Sequence, residues 1–378
     1  MIFEPSKFHI LDIGKRTVRA RYRQLVEFGC ETPEWSDVAS YLGVLIDDEL
    51  SMIPHMVKQG KKARNASFRL SNHAKQHTSC SPATLAIIFQ LWVLPHLAFG
   101  SENWIFLVKT KVHLHKKPRG KYKNAYEAME RLYLKCARLI LGAQQNPAND
   151  AVLIRLGWMP LDYVLMYRAI VWFLKGRQGL AGPALRDLIS RWESCPSHKH
   201  GFGARVFRPA LDAIIRFQTF VSDVDLLTAP IKQSCTALRT AMFAELTSLW
   251  NSSEHAKFTR LIHPEWSKRQ LPSLMHSKCT HSWYHSVALG RGPFRDRLKV
   301  MGKRDCNLCR YGCNVAESPE HVFLHCRHVE KSRKVLHRIC AKRDLQFSIK
   351  TLLNNSHLQI GVEKLMADFM KSSTDAVT

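Results

Sequence analysis

The stretch "CNLCRYGCNVAESPEHVFLHC", residues 306 to 326, holds four of the chain's eleven cysteines and two of its histidines within twenty-one positions. Zinc takes four soft or borderline donors in a tetrahedron, and a Cys-x2-Cys pair offers two converging thiolates from one tight turn. Cys306 and Cys309 form such a pair, followed by His321 and then Cys326, giving Cys-x2-Cys-x11-His-x4-Cys, a spacing of structural-zinc type. Helix geometry raises an objection. Ser318 and Pro319 read as the N-cap and first turn of a helix that would run on through "EHVFLHCRHVEKSRKVLHRIC". At ~100° per residue an unbroken helix puts His321 and His325 on one face and Cys326 well round from it. Either the helix breaks before Cys326 or His325 takes its place, and Cys313 competes for a ligand position as well.

Charge is the second constraint. Lys and Arg number 56 against 31 Asp and Glu, a surplus of +25 spread along 378 residues that are 46% hydrophobic. A folded chain so basic is drawn to polyanions, nucleic acid first among them. Eleven cysteines, unevenly spaced and without a secretory signal in "MIFEPSKFHILDIGKR", place the chain in a reducing compartment, nucleus or cytoplasm, and not among secreted proteins. The most apolar segment, "LAIIFQLWVLPHLAFG" at 85–100, is broken by Gln90, Pro95 and His96. It falls short of the ~20 apolar residues of a membrane span and reads as buried helix.

The patterning is mainly helical. "KFHILDIG" at 7–14 and "VASYLGVLID" at 38–47 read as two strands of one small sheet. From Ser51 a helix sets Met52, Met56 and Phe68 on one side and Lys58, Lys61, Lys62, Arg64 and Arg69 largely on the other. Lys109, Lys111, Lys116, Lys117, Arg119, Lys121 and Lys123 surround a Pro-Arg-Gly turn with no acidic residue to balance them. A helix capped at Asn124, with Met129, Leu132, Cys136 and Ile140 inward, carries Arg131, Lys135 and Arg138 outward and ends at Gly142. Residues 157–176, apolar nearly all round, read as a buried helix bounded by Pro160 and Gly176.

Together "PSKFHILDIG", "SYLGVLIDDELS", "VLPHLAFGSENW", "MERLYLKCARLILGAQQNPANDAVLIRLGWMPLDYVLMYRAIVWFL" and the cysteine stretch resemble, in order, the C-terminal half of reverse transcriptases encoded by non-LTR (LINE-like) retrotransposons. The resemblance covers most of 1–178 and again 279–335. It implies a palm remnant with primer-grip-like strands (1–50), a helical thumb-like domain (51–178), a linker and helical connection (179–278), a CCHC zinc-binding domain (279–345) and a tail (346–378). The fold expected is therefore mainly α with a small β remnant at the N-terminus, a thumb-like bundle and a small C-terminal zinc-binding domain.

The resemblance also implies roles. Lys7 corresponds to the lysine near the incoming nucleotide, Tyr41, Leu42 and Gly43 to the primer grip, and Cys306, Cys309, His321 and Cys326 to the ligands of a structural Zn2+. The metal-binding carboxylates of the polymerase lie upstream of Lys7 in the family, so no catalytic residue is expected here. Mg2+ would matter only if a catalytic part were supplied by the remainder of the polymerase. Asp47-Asp48, the single Asp-Asp of the chain, reads as a solvated turn. The expected partners are RNA, an RNA–DNA duplex or DNA, and no membrane.

Overall fold

The computed structural model describes residues 9–11, 13, 34–77, 80–108, 122–143, 147–194, 203–267 and 283–371. Two-residue strands β1 (His9–Ile10) and β2 (Glu34–Trp35) pair in parallel, and β3 (Val38–Tyr41) and β4 (Val44–Asp47) form an antiparallel hairpin. The longer helices that follow are α1 (Ile53–Gln76), α2 (Pro82–Trp92), α3 (Lys123–Leu141), α4 (Asn149–Leu156), α5 (Leu161–Arg177), α6 (Pro183–Ser194), α7 (Arg208–Gln218), α8 (Ile231–Ser252), α9 (Glu330–Ala341) and α10 (Gln359–Lys371). Short helical turns join them. The chain is thus mostly helical with a little sheet near its N-terminus, as its periodicities predict.

Among the described residues the expected single sheet from 7–14 and 38–47 is replaced by two separate two-stranded pairings. Residues 38–47 fold back on themselves at Leu42 and Gly43, whose φ values of 47° and 84° make the mirror-image turn that matches strand twist. β1 pairs with Glu34–Trp35 instead. Nor is 85–100 one helix: α2 stops at Trp92, a new turn starts at Leu94, and the paired segments are bent by 43°. Ile87 and Leu91 of α2 are exposed. Among the described residues no single helix is long and apolar enough to cross a membrane.

The chain divides into two compact units, each made of three separate stretches: 1–67, 91–132 and 161–242 in the first, 68–90, 133–160 and 243–378 in the second. In the first unit α5 is buried on nearly every side, as its sequence predicts, with Leu165, Ala169, Ile170, Phe173 and Leu174 inaccessible. Gly176 lets α6 approach closely, since a Cβ there would lie 2.6 Å from Leu185 Cδ2. Phe207 sits among the rings of Trp172, Phe173 and Trp192.

The hairpin of the first unit is tied down by polar groups. Asp47, expected to be solvated, is buried, and its carboxylate accepts from Ser51 N–H and Oγ–H through Oδ2 and from Met52 N–H through Oδ1 at 2.7 Å. The turn before α1 engages both of its oxygens. One turn into α1, His55 Nδ1 accepts from Leu45 N–H at 3.2 Å, so Nε2 carries the proton and donates to Phe99 O at 2.9 Å. Burial keeps the imidazole below its ordinary pKa, and Lys58 and Lys62 on the same helix push the same way. Only glycine fits at position 100, where φ is +68° and a Cβ would lie 2.9 Å from His55 Nε2.

In the second unit Phe89 stacks on Trp158 at 4.7 Å, Tyr133 Oη donates to Met159 O, and Trp266 Nε1 to Trp158 O. Arg155 of α4 is buried over the Tyr284 ring. It donates to His285 Nδ1 (3.2 Å), His263 Nε2 (3.0 Å) and Asn354 Oδ1 (3.1 Å). A guanidinium only donates, so both imidazole nitrogens must be unprotonated acceptors. Burial and the Arg155 charge hold His285 well below its ordinary pKa.

The expected tail, 346–378, contributes to the core through 349–354 and 359–371. Leu352, Leu353, Leu358, Val362, Leu365, Met366 and Phe369 are fully buried in one cluster with Val322, Phe323 and Cys326 of the cysteine stretch.

A histidine depressed in the folded state makes its full contribution above its unfolded pKa near 6.5 and loses it as pH falls, because the unfolded chain then takes up the proton first. We therefore expect the urea midpoint to drop between pH 7.5 and pH 5.5. His285→Asn, which keeps an acceptor but cannot titrate, should flatten that fall; an equally steep fall in the variant would refute the role given to His285.

Candidate metal centre

Residues 307 to 317 form a small hairpin. Cys309 N–H donates to Val315 O at 2.8 Å, Glu317 N–H to Asn307 O at 2.8 Å, and Leu308 and Ala316 bridge between them. Its tip reverses through Gly312 and Asn314, both at positive φ (72° and 56°), which carries Cys313 back beside Cys309. Ser318 then caps the next turn, its Oγ accepting from His321 N–H at 3.1 Å, as the Ser-Pro pair predicts.

The helix does break, and the break brings His321 and Cys326 together. Residues His321–His325 form one wide turn closed by Cys326 N–H donating to His321 O at 2.7 Å, an i→i+5 bond. Cys326 itself is extended (φ −60°, ψ 124°), and α9 starts only at Glu330. The donor atoms of Cys309, Cys313, His321 and Cys326 all lie within 4.8 Å of one another. Cys309 Sγ and Cys313 Sγ are 3.9 and 4.0 Å from Cys326 Sγ. Zn–S bonds of about 2.3 Å in a tetrahedron separate two sulfurs by roughly 3.8 Å, so these edges have the size zinc needs.

Three of the four residues singled out by spacing thus meet, but Cys313 stands where Cys306 was expected. Cys306 is exposed and outside the group, its sulfur accepting from Leu308 N–H at 3.4 Å. The left-handed Gly312 turns the choice toward Cys313, and only its φ made that visible. His325 is exposed and takes no part.

His321 Nε2 is buried without a hydrogen-bond partner, as a ligand nitrogen facing a cation would be. Burial lowers the His321 pKa, with His325 adding to the effect, which favours the neutral ligating form. Burial pushes the Cys326 thiol up to about 12, and the sulfurs of Cys309 and Cys313 beside it add to the rise. A divalent cation at the centre supplies the positive charge that lets such thiols ionise. The four donors fit a structural zinc, and all four positions of the tetrahedron are filled by protein.

No protein-family model, no curated protein and no solved structure matches this chain. The centre is described by its own chemistry.

Beneath the hairpin lies a buried ion pair. Glu317, wholly inaccessible, receives Arg310 Nη2 at 2.7 Å on Oε1 and Nε at 2.9 Å on Oε2. The same carboxylate accepts the backbone N–H groups of Arg295 and Arg310, each at 2.9 Å. Arg310 completes the joint by donating to Pro293 O at 2.7 Å and lying over the Phe369 ring. Arg333 Nη1 donates to Cys326 O, fixing the ligand turn to α9.

The positions proposed for nucleic acid are placed as follows. Tyr41 is exposed at the hairpin tip beside Gly43. On α1, Lys61, Lys62 and Arg64 are exposed and Lys58 is half-buried. Phe68, expected inward, is 57% exposed, because the buried stripe is Met56, Ala63, Ala66, Leu70 and Ala74; Lys135 stands over its ring at 6.0 Å. On α3, Lys123, Arg131 and Lys135 are exposed. Arg138 is half-buried and already engaged with Asn149 Oδ1, which makes it a joint between helices. Lys7, Lys109, Lys111, Lys116, Lys117, Arg119 and Lys121 lie outside the described residues. A cleft beside the metal centre carries Lys257, Arg291 and Arg297 but equally Glu254, Asp296 and Glu320, so it is not a path for a polyanion.

We expect Cys313→Ser to lose the zinc equivalent held at this centre and Cys306→Ser to keep it; the reverse outcome would restore the Cys-x2-Cys pairing. Glu317→Ala, which strands the Arg310 charge, should cost about 3–5 kcal/mol in urea unfolding, and a loss below 1 kcal/mol would show that the pair is not structural.

Proposed function

We propose that the chain is a nucleic-acid-binding piece of a non-LTR retrotransposon type of reverse transcriptase, with no polymerase activity of its own. It grips template-primer duplex or structured RNA through basic helix faces and is held in shape at its C-terminal end by a structural zinc. The observation that carries most weight is charge: +25 overall, with Lys61, Lys62 and Arg64 exposed on one helix and Lys123, Arg131 and Lys135 on another. Cations so placed track phosphates rather than read bases.

Asp47 supports the non-catalytic part of this reading. Asp47 is buried and both its carboxylate oxygens already accept from backbone and hydroxyl donors before α1, so it is engaged in the turn rather than presented to a catalytic Mg2+. Zinc would act by folding energy alone, since a centre closed by four protein donors keeps no position for substrate. The motif order quoted above, not any homologue, carries the family assignment.

A second reading follows from the buried setting of the metal ligands: Cys309 and Cys326 belong to the core of the second unit. On that reading the protein is a zinc-clipped interaction module whose surface charge is incidental.

The two separate cleanly in a gel-shift titration with duplex and single-stranded RNA and DNA. Engagement of six to ten phosphates predicts an affinity falling about 10³–10⁵-fold between 50 and 200 mM salt, with little sequence preference. Reversing Lys61, Lys62 and Arg64 to Glu should weaken binding on every sequence alike. Salt-independent affinity, or no change in the triple variant, would favour the interaction module. Primer extension by this chain alone would overturn the non-catalytic assignment.

A further inference from the structure

A second set of metal-ligating side chains lies at the end of α1. His73 and His77 stand one helical turn apart, the i, i+4 spacing at which two imidazoles share a cation from one helix face. His77 N–H donates to His73 O at 2.9 Å, so the helical turn extends to His77, and the two ring centroids are 4.4 Å apart. The chain then doubles back: Cys80 N–H donates to His77 O at 3.1 Å, which returns the thiol to the pair. Cys80 Sγ lies 3.6 Å from His73 Nε2.

That distance carries the inference. With Zn–N about 2.1 Å and Zn–S about 2.3 Å, a tetrahedral centre holds its nitrogen and sulfur roughly 3.6 Å apart. An S–H···N contact could span the same two atoms, but it gives no reason for a second imidazole on the same face. His77 is exposed and must turn its ring to complete the set, since only the C-terminal centre already has all its donors within 4.8 Å among the described residues.

We propose that His73, His77 and Cys80 form a second site for a borderline-soft divalent cation, zinc in the first instance. It differs from the C-terminal centre in kind. Three protein donors leave the fourth position open to water, and the ligands are half-buried or exposed, so the cation exchanges with solution. Its place in the chain gives it a mechanical effect as well: α2 begins at Pro82, two residues beyond Cys80, so a bound cation fastens the end of α1 to the start of the next helix.

The test is zinc stoichiometry on the full chain, stripped of metal and retitrated, with Co2+ as a second, coloured probe. His77→Ala alters an exposed side chain and leaves the core untouched. The wild type should bind one equivalent more than His77→Ala, and Cys80→Ser should lose the same equivalent together with part of the thiolate-to-cobalt absorption. Equal stoichiometry in wild type and His77→Ala would overturn the site. Loss in Cys80→Ser with no loss in His77→Ala would reduce it to a thiol–imidazole contact and overturn it equally. Cys326→Ser, which strikes the other centre, should leave this equivalent in place.

Discussion

Glu317 is the joint on which the C-terminal part of the protein depends. A carboxylate with no access to water is costly unless every lone pair is occupied, and here two arms of Arg310 and two backbone N–H groups occupy them. Through those bonds one side chain fixes the hairpin that presents Cys309 and Cys313, the start of the 295–300 turn, and the Arg310 plane over Phe369 of the last helix. Two of the four metal ligands, Cys309 and Cys313, are therefore carried on a hairpin that an ion pair of the protein itself holds in place.

The same logic of buried charge recurs around Arg155 with a different solution. Here two neutral imidazoles and an amide accept from the guanidinium, under a tyrosine ring. A carboxylate would hold its partner down to low pH, whereas imidazole acceptors let go as soon as they are protonated. The two joints of the second unit thus differ in kind, an ion pair at Glu317 and, at Arg155, imidazole acceptors that loosen with acidity.

Much of this was legible in the sequence wherever periodicity was unambiguous. α5, α3 and the Ser318 cap fall within a residue or two of their expected bounds because apolar spacing and capping residues act locally. The failures have a common cause in residues whose backbone leaves the ordinary regions. Leu42 and Gly43 turned one expected strand into a hairpin, and Gly312 and Asn314 moved a ligand place from Cys306 to Cys313. The wide turn at 321–325 dissolved the conflict between helix geometry and Cys326, a conflict that assumed 3.6 residues per turn throughout. Phe68 faces outward because the buried stripe of α1 runs through Met56, Ala63, Ala66, Leu70 and Ala74, and small alanines mark it as much as large side chains do.

The interleaving of the two units has a consequence for synthesis. When the ribosome has delivered residue 242, every stretch of the first unit has been made, but the second unit still lacks the last of its three stretches, which contains the Glu317 joint and all four C-terminal ligands. Until then 68–90 and 133–160 have only each other to pack against. The part of 133–160 that the third stretch covers, with Trp158 under Trp266 and Arg155 under Tyr284, stays open on the nascent chain until that stretch is made at ~5–20 residues per second. The protein is therefore most exposed to misfolding in the middle of its own sequence.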